Sequence, residues 1–439
     1  MTTEHITIIG GGLAGCEAAW QAAERGVAVN LYDMKPHRYS PAHEMEDLAE
    51  LVCSNSFRSD QLGSAVGLLK EEMRRLGSLL MQVAVETAVP AGKALAVDRV
   101  RFAAEVSSRI AAHPLISVLR QEVDEIPCGS SPTILATGPL TSEKLTADLM
   151  KLTGQENLAF YDAIAPIISA SSLNMDIIYR KSRWDDGPGE YLNCPMTKEE
   201  YYNFIKLLGE ADTVPLKSFE DPKYFEGCLP IEVMLARGEE TLLFGPMKPV
   251  GLPDPRTGQE FFAVVQLRAE NLEETSYNMV GFQTKLTYGA QKVVFQAIPG
   301  LENAEFLRLG SVHRNTFVCA PELLLPTLQM KKRPDLFLAG QLAGVEGYVE
   351  SIAMGLLAGI NAARLAGGQT LVVPPHETAH GALIRHLTET VPKRFQPSNV
   401  NFGLFPPLAK KMPKKLRGDY RAELGLASLD EWVKSSAIY

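Results

Sequence analysis

Several signals that would place this chain in an easily recognised class are missing from it. No run of about 18 or more apolar residues occurs, so we expect no membrane-spanning helix. No basic stretch followed by an apolar stretch opens the chain, so we expect no signal peptide. The six cysteines are scattered, with no Cys-x-x-Cys pair and no zinc-ligand spacing. This pattern argues against a metal site or a disulfide framework and suits a reducing cytoplasm.

Further absences narrow the possible chemistry. The sequence contains no Cys-x-x-x-x-Cys redox pair, which argues against a disulfide reductase. It contains one strand–G-x-G-x-x-G–helix unit and no second one, so a second tightly held NAD(P) domain is not expected. The net charge of −9 by itself argues against a polyanionic partner. A chain of 439 residues is too long for one simple core, so two domains are the natural expectation.

A glycine cluster near the start carries the clearest functional signal. An apolar run leads into Gly10-Gly11-Gly12-Leu13-Ala14-Gly15 and then into an Ala-rich helical pattern. This spacing is typical of a turn whose backbone N–H groups and helix dipole face the pyrophosphate of a dinucleotide. A second predicted strand ends at Asp33, where the motif places a carboxylate on the ribose hydroxyls.

The alternation of helix and strand predicts an α/β fold interrupted by an insertion. One strand ends at Thr137-Gly138, which resembles the second glycine turn of flavoprotein folds, although a bare strand end is the alternative. The alternation weakens near residue 166 and returns at 335–341, where Gly340 and Gln341 end a strand before a buried helix over 348–365. We therefore expect a dinucleotide-binding domain formed by 1–165 and 305–439, with an inserted α+β domain at 166–304.

Two further stretches of the sequence predict local structure. Residues 62–85 have the pattern of one long amphipathic helix, for which Asp60 is a possible N-cap. Thr241–Phe244 is a short apolar run that we interpret as strand-like.

Two cysteines lie in settings compatible with chemistry. Cys53 precedes a polar, arginine-bearing loop, which stabilises a thiolate better than an apolar core does, although a structural free thiol is equally compatible. Cys228 lies in a turn between Gly227 and Pro230 with carboxylates nearby, where an exposed thiol can act as a nucleophile. Composition alone slightly favours a partly buried cysteine at a strand end for Cys228.

The charge is distributed unevenly. Between residues 393 and 421 there are eight basic residues and one acid, so this segment carries +7 and the rest of the chain −16. Such asymmetry can create a nucleic-acid-binding patch on an acidic protein. On charge alone, an ordinary solvated face is the better interpretation.

Together these residues are similar to the bacterial folate- and flavin-dependent tRNA (uracil-5-)-methyltransferases, relatives of the glucose-inhibited division protein A family. The matching segments cover nearly the whole chain and are residues 10–15, 52–58, 136–142, 225–232, 310–316, 339–348 and 395–403. The chain has Asp33 where the family more often has Glu, which keeps the carboxylate. Gln341 stands where many flavoproteins have an acid, a change that is normal in this family.

The resemblance implies a Rossmann-like, glutathione-reductase-like FAD-binding domain with an inserted α+β domain. It implies FAD as cofactor, NADPH or NADH as reductant, and 5,10-methylenetetrahydrofolate as the carbon donor. The implied acceptor is C5 of the T-loop uridine in tRNA, which becomes 5-methyluridine. Cys53 and Cys228 become the candidate catalytic thiols, with their individual roles unassigned. The basic segment becomes a candidate tRNA surface, with contacts predicted from Lys410, Lys411, Lys414, Lys415 and Arg417.

Three alternative functions remain at this point. The sister enzymes that build carboxymethylaminomethyl groups on wobble uridines use the same cofactors, but they are longer and have a helical C-terminal extension. A flavin oxidoreductase acting on a small metabolite would not need the basic segment. A non-enzymatic tRNA-binding module that senses a dinucleotide would explain the fold but would leave both cysteine loops without a role.

Overall fold

The computed structural model describes residues 5–129, 131–154, 158–184, 187, 189–215 and 229–438. The strands, in chain order, are β1 Ile6–Ile9, β2 Val29–Asp33, β3 Ser56–Ser59, β4 Ala88–Val89, β5 Ala94–Val97, β6 Ile116–Arg120, β7 Thr133–Leu135, β8 Leu158–Ala163, β9 Ile167–Ser169, β10 Tyr179–Arg180, β11 Tyr191–Met196, β12 Ala263–Ala269, β13 Ser276–Met279, β14 Phe306–Arg308, β15 Val312–Phe317, β16 Gln329–Met330 and β17 Arg333–Leu338. The helices are α1 Leu13–Ala23, α2 Ala65–Arg75, α3 Leu79–Glu86, α4 Arg99–Ala112, α5 Glu143–Thr153, α6 Lys198–Glu210, α7 Ile231–Ala236, α8 Tyr288–Gln296, α9 Ala320–Leu323, α10 Tyr348–Ala366, α11 Ala379–Glu389 and α12 Arg417–Ser435.

A six-stranded sheet in the order β16-β17-β7-β1-β2-β6 forms the centre of the larger core. Its strands from β17 to β6 are parallel, and β16 pairs antiparallel at one edge. Strand β17, which follows the inserted part of the chain, pairs with β7, and β7 pairs with β1. The α/β fold class is thus confirmed, as is the completion of the first sheet by distant residues.

A second six-stranded sheet, in the order β10-β11-β12-β13-β9-β14, is antiparallel. It packs with α6, α7 and α8 around a separate hydrophobic cluster that is drawn from residues 168–304. Helix α6 begins with a capping box, in which the side chains of Thr197 and Glu200 each accept from the backbone N–H of the other residue. Because β14 belongs to this sheet, the sheet extends a few residues past 304, and the predicted domain boundaries stay a prediction.

Helices α1 and α10 pack against each other with little space between their backbones. A Cβ on Gly355 of α10 would clash with the Ala14 carbonyl oxygen, and one on Gly359 would lie 2.5 Å from the Ala18 carbonyl oxygen. Helix α10 is long and apolar enough to cross a membrane, but 89% of its apolar stretch is buried inside the protein. The burial predicted for this helix is therefore confirmed, and its apolar surface is used for core packing.

Two local predictions were wrong. Residues 62–85 form two helices, α2 and α3, because Gly77 adopts a left-handed φ of 71° and Ser78 caps a new helix at the Met81 N–H. The N-cap of α2 is Ser64 and not Asp60. Thr241–Phe244 is a short 3-10 helix, which shows that a four-residue apolar run does not distinguish strand from helix.

Substitution of Gly355 by alanine should lower the stability of the protein. Alanine normally favours a helix by up to about 1 kcal/mol over glycine, but here the methyl group would displace α1, and overpacking typically costs about 1–3 kcal/mol. The matched control is Gly289→Ala on α8, where a Cβ meets no atom within 4 Å. Thermal unfolding should show a lower Tm for Gly355→Ala alone. Equal Tm values for the two variants would contradict this packing argument.

Candidate cofactor site and thiol loop

A cavity lies at the carboxyl ends of β1, β2, β7 and β17, the edge where ligands bind in open parallel sheets. It collects nearly all the residues that the sequence predicted for the cofactor. Those that line it are Gly10, Gly11, Gly12, Leu13, Ala14, Asp33, Gly138, Gly340 and Gln341. Segments separated by more than 300 residues in the chain thus meet at one place.

The glycine turn has the close contacts that its spacing predicts. Gly10 has φ +107°, and a Cβ on it would lie 2.5 Å from the Ala136 carbonyl oxygen. Gly15 lies behind the cavity, where a Cβ would clash with the Gly10 carbonyl oxygen, so its role is to let α1 pack on the strand end. A Cβ on Gly12, by contrast, would meet no atom within 4 Å, so this side of the turn is open.

The start of α1 fits a dinucleotide pyrophosphate. Its N-cap, Gly12, provides no side chain to satisfy the N–H groups of the first turn. These N–H groups and the positive end of the helix dipole are the usual partners of phosphate. The residues present therefore fit a bound dinucleotide, with Gly10–Ala14 at the pyrophosphate.

Asp33 is buried at the end of β2 and organises the turn. Its Oδ2 accepts from the Gly11 N–H at 3.0 Å, and its Oδ1 accepts from the Lys35 N–H at 2.8 Å. The carboxylate also lines the cavity, in the position expected for a ribose contact.

A histidine on the loop after β2 lies on the wall of the same cavity. His43 Nδ1 is 2.6 Å from the Ser40 Oγ, and both residues line the cavity. Burial lowers the pKa of His43 to about 4, and the charge of Lys35 contributes. The imidazole is therefore neutral at pH 7. Nothing in the local sequence pattern around His43 indicates a cavity.

Cys53 is held beside this cavity by a residue that sequence reasoning did not assign. The hydroxyl of Tyr348, at the start of α10, accepts from the N–H groups of Cys53 at 2.7 Å and Ser54 at 3.1 Å. Tyr348 and Val52 both line the cavity. Burial and the neighbouring Cys53 raise the pKa of Tyr348, so its hydroxyl stays protonated. The sequence signal was an aromatic residue at a helix start, which carries no information on its partner.

The inserted domain anchors the other end of this loop. Arg268 on β12 donates from Nε to the Asn55 Oδ1 at 2.8 Å, and Asn55 donates to the Ala269 carbonyl at 2.9 Å. Arg99 donates to the Leu51 carbonyl at 3.1 Å and pairs with Glu270 at 2.6 Å. The loop that carries Cys53 is therefore fixed by both parts of the protein.

The other cysteines differ in their settings. Cys16 and Cys194 are fully buried, and burial raises the pKa of each thiol. Cys319 is partly buried with a raised pKa, and Cys128 is exposed. Cys53 is partly exposed, and its Sγ lies 3.7 Å from the Ala163 carbonyl oxygen. Cys228, the second predicted thiol, lies outside the described residues.

The basic segment packs near the Cys53 loop. A Cβ on Gly418 would clash with the Gly63 carbonyl oxygen, which places the start of α12 against the turn between β3 and α2. Just upstream, the Val400 N–H donates to Glu350 of α10 at 2.8 Å. All five side chains predicted to contact nucleic acid, Lys410, Lys411, Lys414, Lys415 and Arg417, belong to exposed residues. Arg421 differs from these five residues because its guanidinium lies over the rings of Phe402 and Phe405.

The fold and the cavity define an FAD-binding protein of the Rossmann type, with a thiol loop beside the cofactor cavity. A sequence profile of the family described as Glucose inhibited division protein A matches residues 5–370. The chain belongs to this family and, within it, to the group named methylenetetrahydrofolate–tRNA-(uracil-5-)-methyltransferase TrmFO.

The similarity to this group extends over whole chains. The protein of that name from Desulfotalea psychrophila is 65% identical over 428 residues, which cover 97% of this chain and 96% of the relative. The one from Halalkalibacterium halodurans is 57% identical, covering 99% of this chain and 100% of the relative. Among solved structures, Aquifex aeolicus GidA superposes with a TM-score of 0.72 at 18% identity, over 100% of this chain and 74% of that one. The latter likeness concerns the fold alone.

Asp33→Asn should weaken FAD binding. An amide in place of the carboxylate would turn an NH₂ group toward either the Gly11 or the Lys35 N–H and so disturb the turn that binds the cofactor. Loss of a charge-assisted hydrogen bond costs about 1.5–3 kcal/mol, which corresponds to a rise in Kd of roughly 10- to 150-fold. Titration of apoprotein with FAD, followed by flavin fluorescence, measures this. Asp33→Glu, which keeps the carboxylate, is the control and should bind more tightly than Asp33→Asn. Wild-type affinity in Asp33→Asn would remove this residue from the cofactor site.

Proposed function

We propose that this protein methylates C5 of uridine in tRNA, with methylenetetrahydrofolate as the carbon donor and FAD as the redox cofactor. The relatives of 57–65% identity carry names with this donor, acceptor and reaction. The observation in the fold that carries the proposal is the Cys53 loop, fixed by the Tyr348 hydroxyl at the edge of the dinucleotide cavity. A simple oxidoreductase has no need for a thiol at that position.

The finer assignments extend this proposal. The acceptor is the T-loop uridine, and NADPH or NADH is the reductant. Five cysteines in the described part of the chain are free thiols, which supports a reducing cytoplasmic location.

Different residues of the site have different proposed roles in the reaction. Uracil C5 becomes nucleophilic after a thiolate adds at C6. We propose that one of Cys53 and Cys228 makes this attack and that the other assists it. The turn Gly10–Ala14 and Asp33 hold FAD, which when bound and reduced supplies the electrons that convert the methylene to a methyl group. Tyr348 holds the Cys53 backbone at the cavity. The uridine must leave its stack to reach this site.

The exposed cations of the basic segment are the proposed tRNA contacts. Lys410, Lys411, Lys414 and Lys415 have no ion-pair partner among the residues that the structure describes. The segment packs against the turn that follows the Cys53 loop, which supports an electrostatic surface leading to the reaction site.

Label from methylene-labelled tetrahydrofolate should appear in 5-methyluridine of unmodified tRNA when NADPH is present. Nuclease digestion and mapping of the labelled base identify the acceptor. Label in the T loop supports both reaction and site. Label at the wobble position would favour the sister activity, and no label from flavin-loaded protein would reject the methyltransferase.

Cys53→Ala and Cys228→Ala should each retain bound FAD and lose at least about 100-fold in methyl transfer, because general acid–base or nucleophilic assistance is typically worth 10²–10⁴-fold. The matched control is Cys128→Ala, which removes an exposed thiol outside the loop. Flavin absorbance and single-turnover label transfer measure the two properties. Full activity in either test variant would remove that thiol from the mechanism.

Lys414→Glu/Lys415→Glu should weaken tRNA binding and reduce its salt dependence. Loss of two phosphate contacts lowers the slope of log affinity against log salt by about 2. The control is Lys206→Glu/Lys292→Glu, the same charge change on exposed residues of α6 and α8. Filter binding across a salt series should separate the two variants. Identical slopes would identify the basic segment as ordinary surface.

A further inference from the structure

A fully buried lysine lies behind the Cys53 loop and has no role in the function described so far. The Lys70 side chain, on α2, has no exposed surface. Its Nζ donates to the carbonyl oxygens of Phe57 and Arg58, each at 3.2 Å, and lies 3.1 Å from the Asp60 Oδ1. Two backbone carbonyls and one side-chain carboxylate, all from residues 57–60, thus surround a single ammonium group.

The stretch that Lys70 binds is continuous with the thiol. The Phe57 ring is fully buried, and its centroid lies 6.0 Å from that of Tyr348. Tyr348 in turn accepts from the Cys53 and Ser54 N–H groups. Lys70 therefore binds the backbone of Phe57 and Arg58, a few residues after the candidate catalytic thiol of Cys53.

The backbone at Arg58 has an unfavourable conformation that contacts from other elements must stabilise. It is a non-glycine residue with φ +60°, a conformation that costs about 1 kcal/mol or more unless its surroundings impose it. Its guanidinium pairs with Glu350 on α10, and its carbonyl accepts from Lys70. The two contacts tie the strained residue to two helices, α10 and α2.

We propose that Lys70 is a positioning residue that holds the Cys53 loop against the cavity through its protonated side chain. The proposal rests on the function proposed above, but its effect on the loop can be measured without that reaction. An ammonium has three protons for the Phe57, Arg58 and Asp60 acceptors. The neutral amine has two, so deprotonation leaves one acceptor without its donor.

The electrostatics make this contact sensitive to pH. Burial lowers the pKa of Lys70 to about 8, Asp60 opposes the shift, and the charges of Arg74 and Arg58 add to it. The charged groups that face Lys70 from the surrounding elements are Asp60, Arg74 and Arg58, and Arg58 is itself paired with Glu350. Because the folded-state pKa lies below the ordinary 10.5, the ammonium reduces stability below pH 8, and this penalty disappears as the pH rises toward 10.5. Stability and loop order are therefore expected to change in opposite directions with pH.

The first test measures the loop itself. In Lys70→Met holoenzyme at pH 7, iodoacetamide should alkylate Cys53 several-fold faster than in wild type, as followed by mass spectrometry of the Cys53 peptide. Arg74→Met is the matched control, because Arg74 also pairs with Asp60, at 2.8 Å, but does not contact the loop carbonyls. Equal alkylation rates in Lys70→Met and Arg74→Met would overturn the proposal. This readout remains valid even if the methyltransferase assignment fails.

The second test uses the pH profile and does not depend on Lys70→Met folding. Wild-type methyl transfer should fall with a midpoint near pH 8 while the Tm does not fall. Lys70→Arg stays protonated throughout, so it should shift this alkaline loss upward by about 2 pH units or more. Arg74→Met removes one of the smaller contributions to the lowered pKa of Lys70, so it should move the midpoint upward by less than Lys70→Arg does. An alkaline loss that stays near pH 8 in Lys70→Arg would assign it to another group and reject the role of Lys70.

Discussion

The close approach of helix α1 to its two neighbours is the constraint on which the rest of the structure depends. On one side Gly15 contacts the Gly10 carbonyl, and on the other Gly355 contacts the Ala14 carbonyl. Only glycine leaves room for both contacts. They fix the start of α1 between the central sheet and α10, so that its unpaired N–H groups and the Tyr348 end of α10 face the same cavity.

The Cys53 loop is one of the places where residues of the two parts of the protein meet. Its backbone is bound by Tyr348 from α10, by Lys70 from α2 and, through Asn55, by Arg268 and Ala269 of β12. A loop held at so many points loses little entropy when substrate binds, which favours a preorganised site. The inserted domain thus contributes to the position of a thiol that belongs to the cofactor-binding half.

Several buried charges around this loop are difficult to explain by stability alone. The pair of Arg99 and Glu270 removes both charges from water, whereas the pair of Lys70 and Asp60 removes only that of Lys70, since Asp60 is partly exposed. Burial of charge often contributes little net stability even when it is paired. Hydrogen bonds from the two cations of these pairs to the Leu51, Phe57 and Arg58 carbonyls give them a positional role instead. Charge at these places specifies one loop conformation that an apolar residue would leave undefined.

The sequence by itself determined the α/β class, the glycine turn, Asp33 and the joining of distant segments into one sheet, because these depend on local spacing and periodicity. The resemblance to a family added the candidate thiols and the reaction. Only the tertiary structure decided that Tyr348 binds the Cys53 backbone, that His43 lines the cavity and that Lys70 lies behind the loop. It also divided residues 62–85 into two helices. These features depend on contacts between residues far apart in the chain, whose side-chain partners leave no periodic signal in the sequence.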